Sequence, residues 1–331
     1  MNKPLHIAGR QACAVALAAL AMGIIRNPQP FLSVLAAFLL ASGDSLEHGR
    51  IFHRIVGAWL GALAGTVIIT LFPEQPWLLL PAFALVIAVG IRQVSFTKDD
   101  SLVLLTLLGL ITCIPTGIVQ PSAVLTAAGA HGVNLTCGII SAAIAFFLFP
   151  APKGLPRETS PIFPFKNALF VGITTSLTMV LGAFFPPGAA VVVIASGLMS
   201  FRLAVPGTLP LIPEKMRGAI LGTLLAIVFD VIVAGAGNNI AVFLLAQSLV
   251  FGVLAWIGVT RKGMKPVMLQ GAAMFAVAAP MLPTPDVTLQ AMGVRIAAVL
   301  IGCGFAVLIY ELPFWREGQD WSAPEVSKKV S

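Results

Sequence analysis

The chain has 331 residues, of which 58% are hydrophobic and 10% are charged, and its mean hydropathy is +0.98. This composition leaves too little polar surface for a water-soluble globule and is typical of an integral membrane protein surrounded by a lipid bilayer. The net charge of +7 does not indicate nucleic-acid binding, because the basic residues follow the pattern that sets membrane topology.

Apolar segments recur along the whole chain and are separated by prolines and polar clusters. The sequence therefore predicts an all-α integral membrane protein with about twelve transmembrane helices. In chain order the predicted segments are 11–26, 29–42, 51–72, 76–91, 101–115, 124–149, 166–185, 188–201, 214–234, 238–257, 264–280 and 289–310.

The second half of the chain repeats features of the first half. His53–Gly65 aligns with Glu214–Ala226, and the sequence AHGVN from Ala130 aligns at the same offset with AMGVR from Ala291. Six helices are an even number, so both copies enter the membrane from the same side, and we expect parallel repeats related by an axis along the membrane normal. The predicted parts are a first six-helix module (1–150), a cytoplasmic linker (151–165), a second six-helix module (166–312) and a cytoplasmic tail (313–331).

Glycines at four-residue spacing mark the third predicted helix and its repeat. Gly57, Gly61 and Gly65 lie on one face of the third segment, and Gly218 and Gly222 hold the aligned positions of the ninth. Glycine faces of this kind let neighbouring membrane helices approach closely. We therefore expect both segments to pack tightly against a partner helix.

The basic residues set the orientation of the protein in the membrane. With a cytoplasmic N-terminus, all but Arg26 and Arg295 of the 20 Lys and Arg residues fall on the cytoplasmic side. This asymmetry follows the positive-inside rule and supports the span count. We expect a multi-pass protein of the bacterial inner membrane with both termini in the cytoplasm.

A distinctive order of residues surrounds the polar elbow of the first module. In chain order these features are Pro30, an apolar run, Ser42-Gly43, a basic elbow and the spacing Arg54-x-x-Gly57-x-x-x-Gly61. This order resembles the membrane module of the fusaric-acid-resistance and aromatic acid exporter family. It is also similar to the membrane part of plant aluminium-activated malate channels.

The resemblance covers most of residues 10–150 and, more weakly, residues 165–312. It implies export of aromatic carboxylates, with a periplasmic adaptor and an outer-membrane channel as partners. Many members of the family carry large cytoplasmic domains after each membrane block, whereas only the short linker and tail follow the modules here. We expect a compact, two-module relative, and a homo-oligomer is one of the assemblies open to it.

Few ionisable residues lie inside the predicted spans, where they are costly and often functional. Asp230 is interpreted either as a proton carrier or as a helix-end residue that reaches water. Arg295 is expected to bind a substrate carboxylate, to pair with Asp230 or to extend to the interface. His131 would relay protons or serve as a hydrogen-bonded packing residue. Asn134, which aligns with Arg295 in the repeat, is assigned with it to the substrate site.

The second and eighth segments are short and follow prolines at equivalent places in the two halves. Such paired segments indicate the central site of a transporter, because their helix ends direct dipoles at an ion. We therefore expect substrate near 30–43 and 188–202, in contact with Phe31, Phe38 and Phe201. The alternative for these phenylalanines is a place in the core or against lipid.

Charged residues at the cytoplasmic ends of the spans form a further candidate group. They either gate the mouth and attract anions to it or form a solvated collar that sets topology. The group consists of Asp44, Glu47, Arg50, Arg54, Arg202 and Lys215.

The motifs of common enzymes are missing from the sequence. It has no GxxxxGK[ST] loop for ATP and no HExxH or CxxC motif for a metal, and its four cysteines lie singly in apolar runs. We expect no enzymatic activity, no cofactor and no metal site.

The residues and the resemblance together favour an efflux transporter of small organic anions, aromatic carboxylic acids in particular, driven by the proton gradient. Two alternatives stay open. One is a passive organic-anion channel whose pore is formed by the two modules. The other is a non-transporting membrane assembly subunit.

Overall fold

The computed structural model describes residues 3–26, 31–42, 48–72, 78–96, 100–150, 165–182, 184–185, 193, 212–261, 263–279 and 289–311, and most of these residues are helical. These residues contain eleven α-helices and no β-strand, which confirms the predicted all-α class. The helices are α1 (Lys3–Ile25), α2 (Phe31–Ala41), α3 (His48–Leu71), α4 (Leu79–Phe96), α5 (Asp100–Val119), α6 (Val124–Leu148), α7 (Phe165–Gly182), α8 (Ile212–Gly235), α9 (Ile240–Thr260), α10 (Lys265–Ala278) and α11 (Leu289–Glu311).

Five helices of the described part are long and apolar enough to cross a membrane. They cover Pro4–Ile25, Ile51–Leu71, Pro121–Leu148, Arg217–Gly235 and Ile240–Thr260. Shorter apolar helices cover Phe31–Ala41, Leu79–Gln93, Leu105–Ile118 and Ala168–Gly182. These lengths and compositions indicate a helical membrane protein. The count of twelve spans stays a prediction, since the eighth predicted segment lies outside the described residues except for Val193.

The outward faces of the helices are apolar. Phe147 is 85% exposed, Leu245 is 73% exposed and Leu125 is 70% exposed. A soluble protein would expose such side chains singly, whereas here they recur along the outer face of many helices. This surface suits the hydrocarbon of a bilayer, in which the helices satisfy their own backbone hydrogen bonds.

Two helix pairs pack so closely that a side chain does not fit between them. Gly57, Gly61 and Gly65 of α3 face α5, and Gly218 and Gly222 of α8 face α10. A Cβ atom at any of the five would stand within 2.8 Å of an atom of the partner helix. The residues contacted are Leu102, Thr106 and Cys113 of α5, and Val267 and Gly271 of α10. In each pair the residue numbers of the contacting positions increase in the same direction along both helices, so the two helices are parallel. We call these two contacts the glycine seams.

The two predicted modules contact each other through reciprocal helix pairs. Helix α1, the first of the first module, packs against α9, the fourth predicted segment of the second module. Helix α4, the fourth of the first module, packs against α7, the first of the second. Gly172 of α7 lies directly against the carbonyl oxygen of Ala84 in α4. The α1–α9 contact is looser, since a Cβ atom at Gly252 would lie 3.4 Å from the Cβ atom of Ala12.

Five phenylalanine rings form a continuous cluster in the core. Ring centroids of Phe38 in α2 and Phe251 in α9 are 5.1 Å apart, and those of Phe251 and Phe275 in α10 are 5.3 Å apart. Phe229 of α8 lies 5.3 Å from both Phe275 and Phe243. Tilted and edge-on ring pairs at these distances are favourable. The cluster therefore connects the short helix α2 to three helices of the second half.

Candidate functional site

The end of the short helix α2 is held by side chains of α1. Helix α2 has 11 residues, so it is about 16 Å long, and its last carbonyl groups have no partner within the helix. The Nε atom of Arg10 donates to the carbonyl oxygen of Ala41 at 2.8 Å, and Nε2 of Gln11 donates to that of Phe38 at 3.1 Å. The Ser42 hydroxyl donates to the Leu39 carbonyl at 2.6 Å. Three side chains thus satisfy the C-terminal turn of α2.

Arg10 places a positive charge inside the helix bundle. Its side chain is 1% exposed, and its guanidinium carbon lies 4.0 Å from the centroid of the Phe146 ring in α6. The ring face attracts the cation, and so does the partial negative charge at the C-terminus of α2. A guanidinium within the membrane-spanning stretch Pro4–Ile25 is costly without such partners. The positive-inside pattern predicts a cytoplasmic position for Arg10, whereas the structure buries it where α1, α2 and α6 meet.

His131 and Asn134 lie on the face of α6 that turns towards α2. They precede Gly138 by seven and four residues, which places all three on one side of the helix. A Cβ atom at Gly138 would stand 2.5 Å from the Ser33 carbonyl oxygen of α2, so the helices are in direct contact there. Both side chains are buried, and neither ring nitrogen of His131 has a hydrogen-bond partner within the described part of the chain.

The phenylalanines predicted to contact substrate are buried where the structure describes them. Phe31 and Phe38 are 6% and 1% exposed, and the Phe38 ring packs against Phe251. In this conformation they belong to the core, which was the alternative considered for them. Phe201 lies outside the described residues.

Asp230 lies on a different set of helices from His131. Helix α8, which carries the partly exposed Asp230, packs against α9, α10 and α11, whereas α6 packs against α1, α2, α3 and α5. Asp230 precedes the last residue of α8, Gly235, by five positions, and Arg295 follows the first residue of the neighbouring helix α11 by six. The side chain of Arg295 lies outside the described residues, so the predicted pairing of these two residues stays a prediction.

The candidate residues of the cytoplasmic mouth are described only in part. Arg54 is partly exposed on α3. Arg50 and Lys215 lie near the starts of α3 and α8, but their side chains are outside the described set. The residues wholly outside it are Asp44, Glu47 and Arg202.

Sequence reasoning missed several buried polar residues. The predicted first span begins at residue 11, which places Arg10 and Gln11 at its boundary, whereas α1 begins at Lys3 and contains both. Their burial depends on carbonyl groups of α2 that lie 31 and 27 residues away in the chain, so no local signal in the sequence indicates it. Gln247 of α9 is also fully buried, one turn from Phe243 and one from Phe251. The buried hydroxyls of Thr174, Thr175 and Thr178 in α7 bond to carbonyls of their own helix.

No cluster of three His, Cys, Asp or Glu side chains suited to a metal ion occurs among the described residues. Cys13, Cys113, Cys137 and Cys303 are free thiols. Comparison of the chain with protein-family models, with curated proteins and with solved structures gives no match. The resemblance to the aromatic acid exporters therefore stays a prediction from the sequence.

Proposed function

We propose that this protein is an inner-membrane efflux transporter of small organic anions, with aromatic carboxylates as the preferred class and the proton gradient as the driving force. The observation that carries the proposal is the buried guanidinium of Arg10 at the end of α2. A fixed cation inside an apolar bundle attracts anions that lose their water on entry. Its location beside the Phe146 ring favours a ligand with both charge and aromatic surface.

The chemistry of the guanidinium suits a carboxylate. Its planar N–H donors match two carboxylate oxygens, and such charge-assisted bonds are stronger than a bond to a neutral carbonyl. An anion that reached Arg10 would compete with the Ala41 carbonyl oxygen, which now accepts from Nε. Substrate binding would then release the end of α2, and release of substrate would restore the bond. Helix α2 is in this way the moving part of the proposed transport cycle.

Packing within the chain supports two modules that move relative to each other. Each glycine seam lies within one half and joins the third and fifth predicted helices of that half. In the α1–α9 and α4–α7 contacts, the first helix of each half packs against the fourth helix of the other half. Duplicated transporters commonly move one repeat against the other around a central site. We propose two parallel six-helix modules, with the helices of each seam moving as a unit.

Two titratable residues are proposed for proton coupling. His131 faces α2 from α6, close to the helix that the substrate is proposed to move. Asp230 lies towards one end of α8, next to Phe229 of the aromatic cluster. Transport by the variant Asp230→Asn distinguishes a proton-driven pump from a passive channel. In a proton-driven exporter we expect it to abolish uphill transport, whereas a passive channel would keep its downhill flux.

The decisive experiment is uptake of a labelled hydroxybenzoate into inside-out proteoliposomes that contain only this protein, with the lumen either acidified or at the outside pH. We expect accumulation above the outside concentration that disappears when the gradient is collapsed. Equal flux with and without the gradient would contradict the pump and favour the channel. No flux of any aromatic or aliphatic carboxylate, by correctly folded protein, would favour an assembly subunit. Restoration of flux by a periplasmic adaptor would identify the adaptor as a required partner.

A further inference from the structure

A groove runs along the outer surface where α1 meets α9. It has a volume of about 410 Å³, and its sides are formed by exposed leucines, Val253 and Trp256. The floor consists of small residues, because a Cβ atom at Gly252 would reach only Ala12, at 3.4 Å, and the carbonyl oxygen of Ala8, at 3.9 Å. The α4–α7 contact is closed at the comparable place, where Gly172 touches the backbone of Ala84. The looser fit of α1 on α9 therefore creates the groove.

The groove is apolar along its whole length. The lining has two side chains with a polar group, Ser248, whose hydroxyl donates to the Leu244 carbonyl of its own helix at 2.7 Å, and Trp256 at one end of the groove. On α9 the lining extends from Leu245 to Trp256, which corresponds to about 16 Å of helix. A bilayer core is roughly 30 Å thick, so the groove spans one leaflet. A lipid acyl chain has this length, whereas a transmembrane helix of another protein would be twice as long.

One end of the groove carries the features of a lipid headgroup site. Trp256, 44% exposed, lies near the end of α9, and tryptophans are enriched at the level of the headgroups. The exposed Arg261 and Lys265 follow on the turn into α10. The sequence has no acidic residue between Asp230 and Asp286, and none before Asp44. In the predicted topology this end faces the cytoplasm, where basic residues next to helices bind anionic lipids.

We propose that the groove binds an anionic phospholipid of the cytoplasmic leaflet, with one acyl chain between α1 and α9 and the phosphate at Arg261 and Lys265. The site is separate from the Arg10 region and does not depend on what the protein transports. The acyl chain fills the space that the loose α1–α9 contact leaves open. The bound lipid thereby stabilises one of the contacts between the predicted modules.

The first test measures lipid binding to the whole purified protein by native mass spectrometry and by thermal unfolding in detergent. Phosphatidylglycerol and phosphatidylcholine with identical acyl chains are added separately. We expect phosphatidylglycerol to bind about tenfold more tightly and to raise Tm more. In the double variant Arg261→Gln/Lys265→Gln the preference should vanish while weak binding of both lipids remains. The matched control is Arg217→Gln, which removes an exposed basic residue of α8 and should leave the preference unchanged.

The second test fills the groove. Ser248→Phe places a ring between the walls, and we expect it to abolish binding of both lipids, whereas Leu63→Phe on the outer face of α3 should not. Leu249→Trp fills the same space from the next position, and it replaces Ser248→Phe in the test if that variant does not fold. Equal binding of both lipids by the wild type, or unchanged binding in a folded groove-filled variant, would overturn the proposal. A dimer of the wild type in light scattering that becomes a monomer in the groove-filled variant would also overturn the proposal, because the groove would then bind a second copy of the chain.

Discussion

The glycine seams and the junction of α1, α2 and α6 are both buried, but they are built in opposite ways. In the seams, glycines let the helices approach so closely that a Cβ atom would not fit between them. At the junction, the helices are held by hydrogen bonds from Arg10 and Gln11 to carbonyl oxygens at the end of α2. A seam has one arrangement, because any separation loses all its contacts. Under the proposed function the junction would have a second arrangement, in which a substrate anion replaces the Ala41 carbonyl oxygen as the partner of Arg10. We therefore expect the glycine seams to stabilise the fold, whereas the junction of α1, α2 and α6 is the part that we propose changes conformation.

The largest expected effect is at the seams. Gly61→Leu places a side chain against the backbone of Thr106 and forces α3 from α5, which should cost about 3 kcal/mol or more. Gly222→Leu should do the same to α8 and α10. The control is Gly129→Leu, since no atom lies within 4 Å of a Cβ atom there. The yield of monodisperse protein and its Tm measure the effect. Equal Tm for Gly61→Leu and Gly129→Leu would show that the seams are not rigid.

The next largest effect is expected at Arg10. Arg10→Gln keeps a donor for the Ala41 carbonyl but removes the charge, so we expect a loss of about 2 kcal/mol of stability and loss of hydroxybenzoate transport. Arg10→Lys keeps the charge without the planar fork, and we expect it to retain part of the transport at a raised KM. Proteoliposome uptake and Tm are measured together on both variants. If Tm falls while transport persists, Arg10 only positions α2 and the anion binds elsewhere.

His131 is expected to affect coupling more than stability. A buried polar group without a partner destabilises a fold by about 1–3 kcal/mol, so His131→Leu should unfold at the same temperature or higher. Uphill accumulation should be lost while downhill flux remains. His53→Leu, which alters an exposed histidine of α3, is the matched control and should leave accumulation unchanged. A lower Tm for His131→Leu would mean that the imidazole is a structural hydrogen-bonding group.

The smallest effect is expected at a polar contact between α3 and α6. Nε1 of Trp59 donates to Oγ1 of Thr136 at 3.2 Å, and its ring covers Gly132. Trp59→Phe keeps most of the ring and loses the bond, so we expect a stability loss of about 1 kcal/mol. Thr136→Val removes the same bond from the other side. In a double-mutant cycle the two losses should not add, and full additivity would mean that the bond contributes nothing.

The sequence predicted the helical class and the glycine faces because both depend on local composition and spacing. The residues at which helices begin and end were less predictable. The predicted fifth segment ends at Pro115, whereas this proline lies inside α5, which continues to Val119. The burial of His131 and Asn134 follows from their position in an apolar run. The burial of Arg10 does not, because it depends on the end of α2, which lies about thirty residues away in the chain and accepts the hydrogen bond.

Helix α1 contacts α2 and α6 at the Arg10 junction and also packs against α9. One face carries Arg10, which holds the end of α2, and another face forms the groove with α9. A rigid helix of 23 residues that turns or tilts when α2 is released must also alter the width of the groove. Thermodynamic linkage then requires that anion and lipid change each other's affinity by the same factor. The lipid composition of the membrane would act as an effector, and the protein would bind its anion more or less tightly as the anionic lipid content changes.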